Sequence, residues 1–425
     1  MAKTTKAASP FRIERERSDF LLLLAQNPNQ FGNLDPVKGA AAAAGNTGYE
    51  EVTCVGYNAK LHTLEATVQI KRTGGYSGSL CGGGSLEFVR FFIDYGSGWE
   101  DAGVTSFKVH DVPDPGDCAE DSTRPLSYVA TVEITPRRKR CALPVLPKVR
   151  AILSWQVEPP AGNANYPPVW GNAIDHNIQI ERRSPRVIDL VDVIGVEIGK
   201  KIDIPKDFEA VQEIPIPIPD PGPLTVSQLA ALYAPKGAKG PAVEPHRFAS
   251  AELQAALQPG VFTQQALVAK TAQFKAVGID FSKAIAAFDQ TKGDVSYEEL
   301  NCIGLDNGRD WLGATFQVKR ASGYSGGPCS AGSQEHVAFW ADWNDTCEWT
   351  YLGTVDVRVF DFDVIPAGGL HYTALLPVSL DSTKLSSAMS RRSDACARCF
   401  RGTRRLPPPI PTRFRIGAIA WIRTC

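Results

Sequence analysis

Gly74 to Ser85 reads GGYSGSLCGGGS, and the same kind of loop returns as Gly323 to Ser333, GYSGGPCSAGS. Outward from the two loops, the chain matches itself without a gap from Tyr49 to Asp94. Tyr49-Glu50-Glu51 meets Tyr297-Glu298-Glu299, Cys54 meets Cys302, and Tyr76-Ser77-Gly78 meets Tyr324-Ser325-Gly326. Cys81, Glu87, Val89, Phe91 and Asp94 find Cys329, Glu335, Val337, Phe339 and Asp342 at the same offset of 248 residues. Two residues are then inserted, after which Trp99, Gly103, Val109 and Asp111 match Trp349, Gly353, Val359 and Asp361. Two copies at so long a period mean tandem domains rather than a solenoid.

Inside each copy the apolar residues alternate, as a half-buried strand requires, because successive side chains leave a strand on opposite faces. Leu64, Ala66, Val68 and Ile70 share one face, with Glu65, Thr67, Gln69 and Lys71 on the other. Val89, Phe91 and Ile93 repeat the pattern after the loop, so the loop joins two antiparallel strands. Ser106 to Val112, Ser127 to Ile134 and Val149 to Trp155 read as further strands between Pro and Gly turns. The fold class expected is mainly β: two tandem homologous β-sandwich domains of jelly-roll or Ig-like type, at 49–185 and 297–385.

Between the copies, residues 186–223 read as a linker. In it Pro215, Pro217, Pro219, Pro221 and Pro223 fall at alternate positions, a stiff extended spacer. Residues 224–296 read as a small α-helical module: Thr225 with Gln228 makes a capping box, a second helix covers Pro245 to Leu257, and a third begins near Thr263. Ahead of the first copy, residues 1–48 hold a short helix starting at Ser18 and an Ala/Gly linker.

A net charge of −1 over 425 residues gives no electrostatic footprint for nucleic acid, and Arg137 to Arg140 reads as a solvated turn. No apolar run is long enough to span a bilayer, and Leu21 to Leu24 lacks the length and cleavage site of a signal peptide. That leaves the cytoplasm or export by a leaderless route. Neither repeat holds a C-x-x-C pair, so no zinc site or other cofactor is expected. Cys54 with Cys81, and Cys302 with Cys329, read either as disulfides pinning the loops or as buried thiols, and the sequence leaves both open.

After Leu380 the second copy stops resembling the first, and 386–425 is either a disordered basic tail or a shifted reading frame. Written in synonymous codons and read from the third base of each, Ala397 to Cys425 permits the translation KVLSWNEAPPAANPNAFPYWGNRLDSNV. It aligns without a gap on Ala151 to Ile178, AILSWQVEPPAGNANYPPVWGNAIDHNI. On that reading the second domain continues through its own LSW and WGN strands, and Cys396, Cys399 and Cys425 carry no function.

Gly323-Tyr324-Ser325-Gly326-Gly327 fits the G-x-S-x-G pattern of a nucleophile elbow, but in both copies the chain runs on into more loop and then a strand rather than a helix. No histidine recurs at a matched position, which speaks against a duplicated His-based site. Arg72 and Arg320 continue the apolar faces of the strands before the loops, while Glu87 and Glu335 lie on the apolar faces of those after. The expectation is structural ion pairs, Arg72 with Glu87 and Arg320 with Glu335, at the loop bases. Tyr76, Ser77, Tyr324 and Ser325 are the candidate binding residues, because tyrosine gives contact area at low entropic cost. The competing reading tucks the tyrosines inward to close the sandwich end.

The segment LSW...PP...N...D...I of the first copy resembles the last strands of jelly-roll domains appended to bacterial subtilisin-like proteases. Over those few dozen residues the resemblance implies a β sandwich and imports no activity. The function expected is a non-enzymatic binding or structural protein that presents Gly-Tyr-Ser-Gly loops to a protein or glycan partner. The alternative is a hydrolase between the domains using Ser325 or Asp342.

Overall fold

β1 (Glu50–Asn58) and β2 (Thr63–Ile70) form an antiparallel hairpin, and β8 (Glu298–Asp306) and β9 (Trp311–Val318) form its second copy. The registers coincide, with Glu50 opposite Ile70 as Glu298 is opposite Val318, and each hairpin carries a bulge, at Thr53 and at Asn301. An extra residue resets the alternation of a strand. Val52 and Val55 therefore both join the apolar core, while Cys54 turns to the other face. The structure is a computed structural model. It describes residues 45–78, 82–111, 126–184, 186, 220–234, 242–258, 260, 263–291, 293–342 and 349–380, with the backbone of 415–419. The expected helix at Ser18, the spacer before Asp220, Cys81 and most of the tail lie outside them.

The first copy continues with β3 (Ser85–Asp94), β4 (Trp99–Val109), β5 (Leu126–Glu133), β6 (Lys148–Trp155) and β7 (Ala173–Asn177). The second continues with β10 (Ser333–Asp342), β11 (Thr350–Val359), β12 (Leu370–Pro377) and β13 (Arg415–Ile419). The chain is thus mainly β, with several sheets. Three strands from each copy close one barrel, in the order β1-β12-β9-β8-β5-β2. The copies meet at two parallel junctions, Tyr57 opposite Tyr372 and Leu305 opposite Tyr128, and these junctions are equivalent in the duplicated sequence. Closure leaves neither hairpin with a free edge. Two self-contained sandwiches, as expected from the repeat, are therefore not what forms.

Each copy packs its part of the barrel wall on an outer sheet, ordered β4-β3-β6-β7 in the first and β11-β10-β13 in the second. Leu64, Ala66 and Val68 meet Val89, Phe91, Val149 and Leu153 in one core, and Leu312, Ala314 and Phe316 meet Val337 and Phe339 in the other. β13 takes the place on β10 that β6 takes on β3: Phe339 opposes Ala418 as Phe91 opposes Ala151. The outer faces differ. In the first copy Arg150 lies over Trp99 at 4.6 Å and is held by Asp175 of β7 at 2.6 Å. In the second, the matching Trp349 is 45% exposed and Tyr351 57% exposed.

The polar face of β2, read from the alternation as solvated, is the barrel interior. Glu65 is fully buried there. It accepts from Thr67 Oγ1 at 2.7 Å, Thr373 Oγ1 at 3.1 Å and the Thr315 hydroxyl. Burial pushes its carboxyl above the usual range, and the three hydroxyls only partly offset that. Gly56, next to these groups, has no room for a Cβ beside Thr373 and Thr315. On the other side the counterparts are Gly304 beside Gly313 and Val129, where a Cβ on Gly313 would stand 2.9 Å from Val129 Cγ2.

Cys54 and Cys302, equivalent residues of the two copies, are joined by a disulfide with Cα atoms 6.3 Å apart. Cys329 is bonded to Cys141, at 4.9 Å between Cα atoms. Neither reading that the sequence left open holds: Cys302 is not bridged to Cys329 nor Cys54 to Cys81, and Cys54, Cys302 and Cys329 are not thiols. The bulges turn Cys54 and Cys302 into the barrel, away from the loops. Both bridges join one copy to the other. Tyr372 and Gln179 (3.3 Å), Asn58 and the Thr373 carbonyl (2.9 Å), and the stacked His176 and His371 rings (3.6 Å) do the same.

Among the described residues five helices lie between the copies: α1 (Val226–Leu232), α2 (Pro245–Phe248), α3 (Ser250–Leu257), α4 (Gln264–Ala276) and α5 (Phe281–Gln290). Thr225 and Gln228 form a reciprocal capping box, and Thr263 caps α4. The helix expected from Pro245 to Leu257 is interrupted at Ala249. α5, which Asp280 caps, was not foreseen. Val226, Leu253, Phe274 and Phe281 make the core of this module. Among the described residues no helix is long and apolar enough to cross a membrane.

Candidate functional site

Gly75 (φ 105°), Ser77 (60°) and Gly78 (109°) turn the first loop through left-handed positions, and Gly323 (112°), Ser325 (59°) and Gly326 (103°) repeat the turn. Glycine is required where the loop passes Tyr49 and Tyr297: a Cβ on Gly75 or Gly323 would lie 2.5 Å from the tyrosine ring. The turn drives Tyr76 and Tyr324 inward, and both are 0% exposed. Each meets its neighbour edge to face, Tyr49 with Tyr76 and Tyr297 with Tyr324, at 6.3 Å between ring centres. Their hydroxyls donate to the Tyr49 and Tyr297 carbonyls at 2.9 and 2.8 Å. The expected contact surface of Tyr76 and Tyr324 is thus corrected: the rings close the ends of the two cores, and of the four candidate binding residues Ser77 is the one left exposed.

An aspartate holds each loop. Asp111 accepts from the Tyr76 and Gly78 amides at 2.8 and 3.1 Å, and Asp361 accepts from those of Tyr324 and Gly326 at 2.7 and 2.9 Å. The aspartate amides return the bond to the Gly78 and Gly326 carbonyls. In the second copy Tyr233, at the end of α1, donates to Asp361 Oδ2 at 2.7 Å and accepts from the Ser325 amide at 2.8 Å. Asp111 and Asp361 closed the aligned repeat, a signal that they serve it. Tyr233 lies outside the repeat, so no internal comparison marked it.

Below the second loop two carboxylates share one guanidinium. Arg247 of α2 donates to Glu298 Oε1 and Oε2 at 2.5 and 2.9 Å, stands 3.5 Å from Glu335, and donates to the Gly323 carbonyl at 3.2 Å. It also lies over the Tyr297 ring at 4.5 Å. Burial, with the Glu298 charge behind it, pushes Glu335 up to about 8, against the pull of Arg247. Glu298 is raised as well, by burial. The expected Arg320 partner of Glu335 is corrected to Arg247. Arg320 instead stacks on Tyr297 at 4.1 Å and donates to Ser296. Arg72 does the equivalent in the first copy, lying exposed over Tyr49 at 4.4 Å and donating to the Gly48 carbonyl, while Glu87 is fully buried.

Asp111, Asp361, Arg247 and Arg320 are each engaged in hydrogen bonds or ring contacts around their own loops. Ser325 sits at the loop end of β10, and Asp342 at the other end of that ten-residue strand, about 30 Å away at the usual rise. The serine and acid of the alternative hydrolase reading do not converge. His371 is pushed down to about 3 by burial and then by His176, whose ring burial also lowers, so the stacked pair is neutral near pH 7. Among the described residues no group of histidine, cysteine and carboxylate side chains is arranged to hold a metal ion.

No protein-family model matches the chain, and no curated protein matches it. Among solved structures it is similar to the crystal structure of MtrC from Shewanella baltica OS185, at 8% identity and a TM-score of 0.15, over 76% of this chain and 61% of that one. A likeness that slight carries neither fold nor function.

Proposed function

We propose that the chain is a non-enzymatic structural or binding protein, an internally duplicated β-sandwich protein whose copies are locked together by a shared barrel. What supports this most is the fate of the repeated residues: Tyr49, Tyr76, Glu87 and Asp111, and their counterparts, are spent on shaping the loops and closing the cores. Ser325, the nucleophile of the hydrolase reading, has its amide tied to Tyr233 and no acid brought to it by Asp342. A protein or glycan partner meets the loop rim at Ser77 rather than the tyrosine rings. Tyr76→Ala and Tyr324→Ala test this by thermal unfolding. A clear fall in Tm for both supports the reading. Unchanged Tm, with loss of a partner or of a hydrolytic activity, would overturn it.

A further inference from the structure

Among the described residues two disulfides join the copies, and their surroundings are opposite. Cys54 is 2% exposed. It and Cys302 are both held in mid-strand, opposite Thr67 and Thr315 of the neighbouring strands, with Thr53 Oγ1 3.4 Å from the Cys302 sulfur. Cys329 is exposed, on the turn that the Ser330 amide closes by donating to the Gly327 carbonyl at 2.8 Å. Its partner Cys141 is half-buried, in the segment between β5 and β6. A disulfide is broken by a thiolate that reaches one of its sulfurs, so access separates the two bridges.

The surface bridge also has a favourable leaving group. Attack at the exposed Cys329 expels Cys141, which follows Arg137-Arg138-Lys139-Arg140. Glu100 and Glu181 meet the first two cations at 2.6 and 3.6 Å, and Lys139 and Arg140 stand next to the cysteine in sequence. Nearby cations stabilise a thiolate, and a thiol of lowered pKa leaves faster.

What this bridge holds is the tip of the second loop. Beside it, Arg182 Nη1 donates to the Pro328 carbonyl at 2.8 Å. Arg182 and Arg358 meet Asp220 at 2.8 and 3.3 Å, in exposed ion pairs of the kind that contribute little. The base of the loop is anchored separately, by Asp361 through the Tyr324 and Gly326 amides. Cutting the surface bridge therefore frees the tip and leaves the base in place.

We propose that Cys141–Cys329 is a redox-modification site for a dithiol reductant, whose action opens the tip of the second loop while Cys54–Cys302 keeps the barrel closed. A thiolate of the dithiol bonds to Cys329 Sγ, the bond between Cys329 and Cys141 breaks, and Cys141 leaves with the electron pair and takes a proton from water. The second thiol of the reductant, as its thiolate, then displaces Cys329 from the mixed disulfide. The bridge gains two electrons and becomes two thiols, and the dithiol becomes a disulfide.

The test uses the full oxidised chain, with free thiols first blocked by N-ethylmaleimide. Dithiothreitol is added under native conditions, the released thiols are trapped with iodoacetamide and mapped by mass spectrometry, and hydrogen exchange is read on the same samples. Cys141 and Cys329 should be trapped at least about tenfold faster than Cys54 and Cys302. Exchange should then rise between Gly326 and Ser333 and stay unchanged in β1 and β8. Lys139→Gln/Arg140→Gln should slow release of the surface pair and leave the rate of the barrel pair as it was. Cys141→Ser/Cys329→Ser should show the open exchange pattern without dithiol. Release of neither pair, of both together or of the barrel pair first would overturn the proposal. So would selective release with no rise in exchange at the loop, which would make the bridge a static staple.

Discussion

Glu65→Gln should leave the barrel nearly as stable as wild type at low pH and make it more stable at high pH. The wild-type carboxyl is fully buried among three threonine hydroxyls, and burial raises it above its ordinary value of 4.5. A raised acid binds its proton more tightly in the folded state, so its contribution is complete below the unfolded value and is lost as pH rises through the folded one. Each pH unit between the two removes about 1.4 kcal/mol. Glutamine keeps the volume, accepts through Oε1 and does not titrate. The difference between variant and wild type isolates this one group from every other titration. Glu65→Ala strips the partner from three hydroxyls, at about 1 kcal/mol each, and leaves a cavity costing roughly 1 more, for a loss of about 4 kcal/mol. The assay is urea unfolding of the three chains from about pH 4 to pH 9. If the wild type gains on Glu65→Gln as pH rises, the carboxylate is ionised and stabilised in the barrel, and the reasoning is wrong.

Asp361→Ala frees two loop amides and the Tyr233 hydroxyl, a loss of about 2–4 kcal/mol, whereas Asp111→Ala, which anchors the two amides of the first loop, should cost less. Denaturant midpoints of the two variants compare them directly. A chain whose gene is read in the alternative frame from about Ala388 onward should cover Trp349 as Arg150 covers Trp99. Acrylamide quenching of its tryptophan fluorescence should then fall per residue. Resequencing that region checks the frame itself, and a frame confirmed as written leaves Trp349 and Tyr351 on the surface.

How far the sequence could be read is clearest at β2. Alternation placed Leu64, Ala66, Val68 and Ile70 on one buried face correctly, but it cannot distinguish water from the inside of a narrow barrel, because both suit Glu65 and Thr67. The two hairpins were legible from their own residues, since their pairing is local. The closure β1 to β12 and β5 to β8 was not, because it joins strands from different copies. Neither of the two open cysteine readings, bridges within each copy or buried thiols, anticipated Cys54–Cys302, because a bulge at Thr53, which spacing does not announce, turns Cys54 to the other face. The repeat marked Glu87, Glu335, Asp111 and Asp361, yet the guanidinium that Glu335 shares comes from Arg247, outside the aligned strands. Whether a loop tyrosine points out or in depends on the left-handed turn at Gly75 and Ser77, and the glycines announced a turn without its direction.

That the two copies share one barrel, rather than standing as separate domains, is tested most directly by peptide mapping of the unreduced protein by mass spectrometry, because Cys54 and Cys302 belong to different copies. A shared barrel predicts a peptide containing Cys54 linked to one containing Cys302, and Cys141 linked to Cys329. Cys54 linked to Cys81, with Cys302 linked to Cys329, would confine each bridge to its own copy and contradict the shared barrel.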